Sequence, residues 1–223
     1  MKILFALLIT SILLNGQSNA FRLDYNNYRQ KIYSSSLWLS GSPSINPKSN
    51  NRFIVQLDIR TIIFENYEDY LICPNIDIGL KLTKNLLLTS KSYGFKKGYD
   101  SPQIIGAGFQ YYYGTRDNLD WLLSFQRVDL NGLDHFRLKS FTINLGRWII
   151  LNSVNFIVGF GMNTFKENSY INLGDNLDSM EGQINFISFD TIIPTSILNI
   201  GFETKLTNQN LLSFSIYTQK EIF

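Results

Sequence analysis

From residue 53 onward, apolar and polar side chains alternate one for one along most of the chain, the period of strands with two unlike faces. Val55, Leu57, Ile59 and Ile63 are apolar, with Gln56, Asp58 and Arg60 between them. Ile76, Ile78 and Leu80 stand opposite Asp77, Gly79 and Lys81, and Ile105, Ala107, Phe109, Tyr111 and Tyr113 opposite Gly106, Gly108 and Gln110. The same alternation recurs around Trp121, Phe141, Phe156, Ile200 and Phe214. It predicts about ten strands, at 53–64, 75–82, 86–95, 103–113, 119–129, 137–149, 154–165, 182–193, 197–206 and 211–219. The phase slips within 86–95 and 182–193, where bulges are expected.

A tilted strand crosses a bilayer with roughly 9–11 residues, close to the length of most of these runs. Short links at 83–85, 115–118, 151–153 and 194–196 alternate with longer ones at 65–74, 96–102, 130–136 and 166–181, and the short link 207–210 is the exception. Tight turns at one mouth, longer loops at the other and an even strand count predict an all-β, antiparallel, up-and-down transmembrane β-barrel over residues 53–223. The expected strand count is about ten, within a range of eight to twelve.

Gly79, Gly106, Gly108, Gly146, Gly159, Gly161 and Gly201 all fall on the polar face, as a crowded lumen requires. Asp58, Arg60, Asp77, Lys81, Glu203 and Lys205 share that face and are the lumen-facing candidates, since buried charges are tolerated when paired. A soluble cup with an apolar interior has the same period and would put these groups in solvent. The direction of Ile200 and Phe202 separates the two, because outward means membrane. Tyr93, Tyr111, Tyr112, Tyr113, Trp121, Trp148, Tyr170 and Tyr217 are expected to form interfacial girdles.

Lys2, the apolar run Ile3–Leu14 and Ser18-Asn19-Ala20 have the layout of a signal peptide over residues 1–20, with cleavage after Ala20. Residues 21–52 carry Tyr25, Tyr28 and Tyr33, then Ser34–Ser36 and a turn-rich stretch with Pro43 and Pro47. They read as an N-terminal arm or plug, or as an extra strand over 32–39. The chain has 20 basic and 18 acidic residues, and loss of Lys2 leaves 19 against 18, which gives no electrostatic footprint for nucleic acid. Outside the leader no apolar run is long enough for a membrane helix. Cys73 is the sole cysteine and reads as a small apolar filler.

With strands, turns and termini in place, residues 53–223 resemble the small Gram-negative outer-membrane β-barrels, with no subfamily distinguished. Members commonly end on an aromatic residue read by the barrel-assembly machinery, and this chain ends Glu221-Ile222-Phe223. Leu212, Phe214 and Ile216 are out of phase with Phe223, so either a bulge intervenes or the terminal Phe is coincidental. The resemblance implies a place in the outer membrane, outer-membrane lipid and the assembly machinery as partners, and a monomer.

Catalysis in such barrels generally needs a His beside a Ser or Asp. His135 is the only histidine, and its neighbour Asp134 makes no dyad with it. Glu65, Glu68, Asp69, Asp175 and Asp178 read as solvated loop faces. The sequence therefore names no catalytic, metal or cofactor-binding residue, no cofactor and no enzyme. The expected role is structural, adhesive or surface-binding, with a narrow passive pore and a soluble barrel holding an apolar ligand as alternatives.

Overall fold

The computed structural model describes residues 21, 28–43, 45–46, 51–64, 70–94, 101–115, 118–151, 154–170 and 179–222. The leader 1–20, the acidic residues Glu65, Glu68, Asp69, Asp175 and Asp178, and Phe223 lie outside them.

One helix, α1 (Tyr28–Leu39), precedes ten strands. These are β1 (Phe53–Phe64), β2 (Tyr70–Lys81), β3 (Leu86–Gly94), β4 (Gln103–Thr115), β5 (Asn118–Asn131), β6 (Phe136–Leu151), β7 (Val154–Ser169), β8 (Ser179–Pro194), β9 (Asn199–Thr207) and β10 (Leu211–Ile222). Each strand pairs antiparallel with its sequence neighbours and β1 closes on β10, so the sheet is an up-and-down barrel without an edge. In lipid that closure is required, because an unpaired strand edge would leave backbone N–H and C=O groups with no partner.

Most strands run further than the alternation predicts, although β1 matches it and β3 and β9 are slightly shorter. β2 begins at Tyr70 rather than 75, a start the alternation misses because Leu71 and Cys73 are apolar on the inward face and because Pro74 argues against a strand in sequence. The β2–β3 ladder runs from Asp77 to Lys81, so Pro74, which has no N–H to donate, lies beyond that ladder. β7 and β8 likewise extend to Ser169 and from Ser179, which shortens the link between them. The link from Thr207 to Leu211 stays tight: Thr207 Oγ1 accepts N–H bonds from Gln209 (3.3 Å) and Leu211 (3.0 Å), and Asn210 takes a φ of 55°.

No bulge marks the phase slips. β3 and β8 keep continuous register with their neighbours, and the irregularity in the β4–β5 ladder lies between Tyr113 and Thr115. The slip in β8 arises because Ile184, Phe186 and Ile192 are apolar yet point inward and are buried. In β3, Leu87 does the same. β10 also pairs with β1 without a break from Leu211 to Ile222, so no bulge in that stretch reconciles Phe223 with Leu212, Phe214 and Ile216.

The outer surface is apolar. Ile105, Phe109, Phe160, Ile187, Phe189 and Ile216 are among the large exposed side chains, and Phe202 points outward with them. Asp58, Asp77, Lys91, Asn163 and Lys205 are buried inside. A soluble cup would reverse this arrangement; a barrel with lipid outside requires it. Tyr111, Tyr113 and Tyr170 are exposed, and Tyr113 stacks on Trp121 (centroids 6.1 Å apart), with the Arg147 guanidinium 5.6 Å from the Trp121 ring. Tyr112, Trp148 and Tyr217, by contrast, are buried together within the barrel and belong to no girdle. Tyr93 is half-buried against the inner apolar cluster.

Phe160 is 61% exposed near the middle of β7. Phe160→Arg is expected to cost ~2–4 kcal/mol in lipid vesicles, measured by denaturant titration. A change at so open a position in a soluble barrel would stay within about 0.5 kcal/mol.

Candidate functional site

The lumen is the site, and the segment before β1 occupies it. Residues 28–39 form a helix, not the extra strand that 32–39 suggested. The stretch contains neither Gly nor Pro, and Gly41 and Pro43 follow it directly. Its last turn is closed by Ser40, whose N–H reaches the Ser36 carbonyl (3.1 Å) and whose hydroxyl donates to the Leu37 carbonyl (2.7 Å). Ile32, Leu37, Trp38 and Leu39 are fully buried, and so is Ser36. A helix enclosed on nearly all sides has no polar stripe to show in sequence.

The segment runs the length of the barrel. At the end with the longer links, the Tyr28 hydroxyl donates to the Glu167 carboxylate, which also accepts the Met180 N–H at 3.1 Å. Burial, with the bond to and charge of Glu167 added, raises the Tyr28 phenol above its ordinary value, so it remains a donor. Below it, the Ser36 hydroxyl donates to Asn163 Oδ1, and Asn163 Nδ2 donates to Ser140 (2.6 Å) and Thr142 (2.7 Å) on β6. Apolar inward residues, including Ile62, Leu71, Ile104, Leu130, Leu138 and Phe165, pack around the helix here, and Phe21 lies 5.6 Å from Trp38. Toward the short-turn end, Gln110 Nε2 donates to the Pro43 carbonyl and the Tyr112 hydroxyl to the Ile45 carbonyl (2.6 Å).

Between these two regions lies a charged girdle. Arg60 stands 3.4 Å from Asp58 and contacts Glu203; Lys205 lies 3.5 Å from Glu203; Lys91 lies 3.1 Å from Asp77. Asp58 also accepts from Asn75 (2.7 Å) and Ser215 (3.3 Å). Three carboxylates therefore face three cations. Lys81 is buried on the same inner face nearer the short-turn mouth. Of the six lumen-facing candidates, five thus sit in or beside one network and Lys81 stands apart from it.

The plug is tied to this girdle directly. Lys205 Nζ donates to the Ser40 carbonyl (2.9 Å) and hydroxyl (3.1 Å), and its charge lies 4.7 Å from the Phe186 ring centroid. Gly41 passes so close to Arg60 that a Cβ there would lie 2.8 Å from the guanidinium. Gly201 makes room in the same way for the Tyr217 ring, whose hydroxyl donates to Asp190 (2.7 Å). Lys91, Asp190 and Glu167 escaped the sequence reading, whereas Asn163 had the polar-face parity that puts it in the lumen. Lys91 has the inward parity of Leu87 and Thr89, but the apparent phase slip hid it.

His135 lies in the link between β5 and β6, where its carbonyl accepts the Tyr170 N–H at 2.8 Å. Among the described residues no group of His, Cys, Asp or Glu is arranged to hold a metal ion. Cys73 is buried in the inner apolar cluster.

The chain is a closed, ten-strand antiparallel β-barrel with an apolar outer belt and a charged, polar interior. It matches no known protein-family model and no curated protein sequence. Among solved structures, the barrel is similar to the attachment invasion locus protein Ail of Yersinia pestis (9% identity, 76% of this chain and 94% of that one, TM-score 0.35). It is similar also to Omp33 of Acinetobacter baumannii (7% identity, 77% and 98%, TM-score 0.39). A third is the translocator domain of the autotransporter NalP from Neisseria meningitidis (10% identity, 93% and 98%, TM-score 0.38).

Arg60→Met would leave Asp58 and Glu203 buried without their shared cation, and is expected to cost ~3–5 kcal/mol in urea unfolding of the barrel in detergent. Lys166→Met removes an exposed pair with Glu181 on the outer face and is expected to cost under about 1 kcal/mol. Equal losses would show that the girdle has no special part in holding the barrel together.

Proposed function

We propose that this chain is a plugged, non-conducting barrel of the bacterial outer membrane, exported through a signal peptide cleaved after Ala20, with a structural, adhesive or surface-binding role and no catalytic one. The observation that carries this reading is the course of residues 28–43 and 45–46 in the lumen, bonded to the wall at Glu167, Asn163, Lys205, Gln110 and Tyr112. A segment fixed at five points of the wall supports a lumen closed to solute. The paired girdle supports the same reading, because every cation in it is already matched by a carboxylate.

A barrel of this kind works through the surfaces it shows at its two mouths and through its lipid-facing wall. Its partners are then outer-membrane lipid and the barrel-assembly machinery that inserts it, and the apolar belt needs no second copy to cover it in a bilayer. His135, in a link at one mouth, serves there as a surface residue.

Planar-bilayer recording tests this. The mature protein is expected to give no reproducible conductance, whereas a variant lacking residues 21–46, or Gly41→Leu, which drives a side chain into Arg60, is expected to give discrete openings. Steady conductance from the unaltered protein would establish a narrow pore instead.

A further inference from the structure

At the short-turn end the structure contains a cavity of about 380 Å³ that the lumen network does not use. Its size is toward the small end of ligand sites, roughly 300–1,000 Å³. Its polar lining is mostly side-chain amide: Asn46 and Asn51 from the segment entering β1, Asn155 from β7, Asn199 from β9 and Gln219 from β10. Glu221 is the carboxylate among the lining residues, and it accepts from Asn199 Nδ2 at 3.3 Å.

Gln219 is the telling residue. It is only 1% exposed, yet neither its Oε1 nor its Nε2 meets a hydrogen-bond partner among the described residues. Gln56, its register partner across the β1–β10 ladder, is also buried with its Oε1 unpartnered. Buried amides are ordinarily hydrogen-bonded, and one bonded at neither atom calls for a cause. Elsewhere in the lumen Asn75, Gln126 and Asn144 each leave an amide oxygen unbonded, and among the described residues Gln219 is the amide with neither atom bonded.

The lining also defines the ligand. An amide presents a donor and an acceptor side by side, and neighbouring sugar hydroxyls present the complementary pair. Among the described lining residues there is no Lys or Arg, which disfavours an anion, and the Glu221 carboxylate, which accepts from Asn199, has its charge offset by nearby Lys81. Ile192, Ile197 and Leu198 add an apolar side suited to the C–H face of a pyranose ring.

We propose that this cavity is a binding site for a neutral saccharide of one or two rings, with the Gln219 amide as its central hydrogen-bonding group. Such a sugar is either a segment of an N-acetylated envelope glycan or a free, unacetylated oligosaccharide, and the shared chemistry is a set of vicinal hydroxyls.

The mature protein, folded in a detergent without a sugar headgroup, is titrated with N,N′-diacetylchitobiose, with maltose and with N-acetylglycinamide, and binding is followed by protein NMR shifts. Saturable shifts with either sugar support the site; preference for chitobiose assigns it to acetylated glycan, and equal or greater response to maltose to free oligosaccharide. Gln219→Leu is expected to weaken binding by about tenfold or more, with heat-modifiable electrophoretic mobility unchanged and Lys166→Met binding as the unaltered protein does. Should Gln219→Leu fail to fold, Asn155→Leu carries the same expectation. Absence of saturable shifts with both sugars, full binding by Gln219→Leu, or a response to N-acetylglycinamide alone would overturn the proposal.

Discussion

Phe53–Phe64 of β1 pair without interruption with Leu211–Ile222 of β10, and the rest of the molecule depends on that closure. A strand in hydrocarbon can leave no N–H or C=O group unpaired, so the sheet has to end where it began. Closure then divides every strand into an outward and an inward residue set, with no third environment available. The outward set needs only to be apolar, which Phe160, Ile187 and Ile216 satisfy without close packing among themselves. The inward set faces a harder problem, because it encloses a finite volume from which bulk water is largely excluded.

Two devices meet that demand. Ten strands enclose more room than an eight-strand barrel, whose own side chains just fill it, and here the segment before β1 takes up the difference. Where α1 lies, the wall turns apolar on its inner face as well, so that Ile62, Leu130 and Phe165 pack on Ile32, Trp38 and Leu39. Where the extended stretch from Ser40 passes, the wall is charged but balanced, and a cation from it, Lys205, bonds the plug backbone. Burial of Arg60, Lys91 and Lys205 is tolerated because each has a carboxylate within contact. The proposed function follows from the same filling: an occupied lumen favours a role at the mouths over one in passage, and at the short-turn mouth the amide-lined cavity holds Gln219, bonded at neither amide atom among the described residues.

The barrel was legible because its cause is local. Alternation at Phe53–Ile63 or Val154–Met162 follows from lipid on one side and lumen on the other, and each residue reports its own environment. Six lumen charges were readable for the same reason: Asp58, Arg60, Asp77, Lys81, Glu203 and Lys205 interrupt apolar runs at the right parity. Legibility failed wherever both faces were apolar. Ile184 and Phe186 in β8, and Leu71 and Cys73 in β2, obscured the inward parity that they in fact obey. The signal was nonetheless present, because inward apolar residues clustered toward one end of several strands imply something apolar inside to meet them.

The sequence by itself therefore determined the closed sheet, its approximate strand count, its apolar exterior and most of the charged interior, all properties set residue by residue through period two. Tertiary structure alone decided that residues 28–39 are a helix, that the helix lies inside the barrel, which charges pair, and that Gln219 is buried without a partner among the described residues. These depend on groups more than a hundred positions apart, such as Tyr28 with Glu167 and Ser40 with Lys205. No local period encodes such contacts, and a helix surrounded by wall on nearly every side carries no amphipathic stripe to announce it.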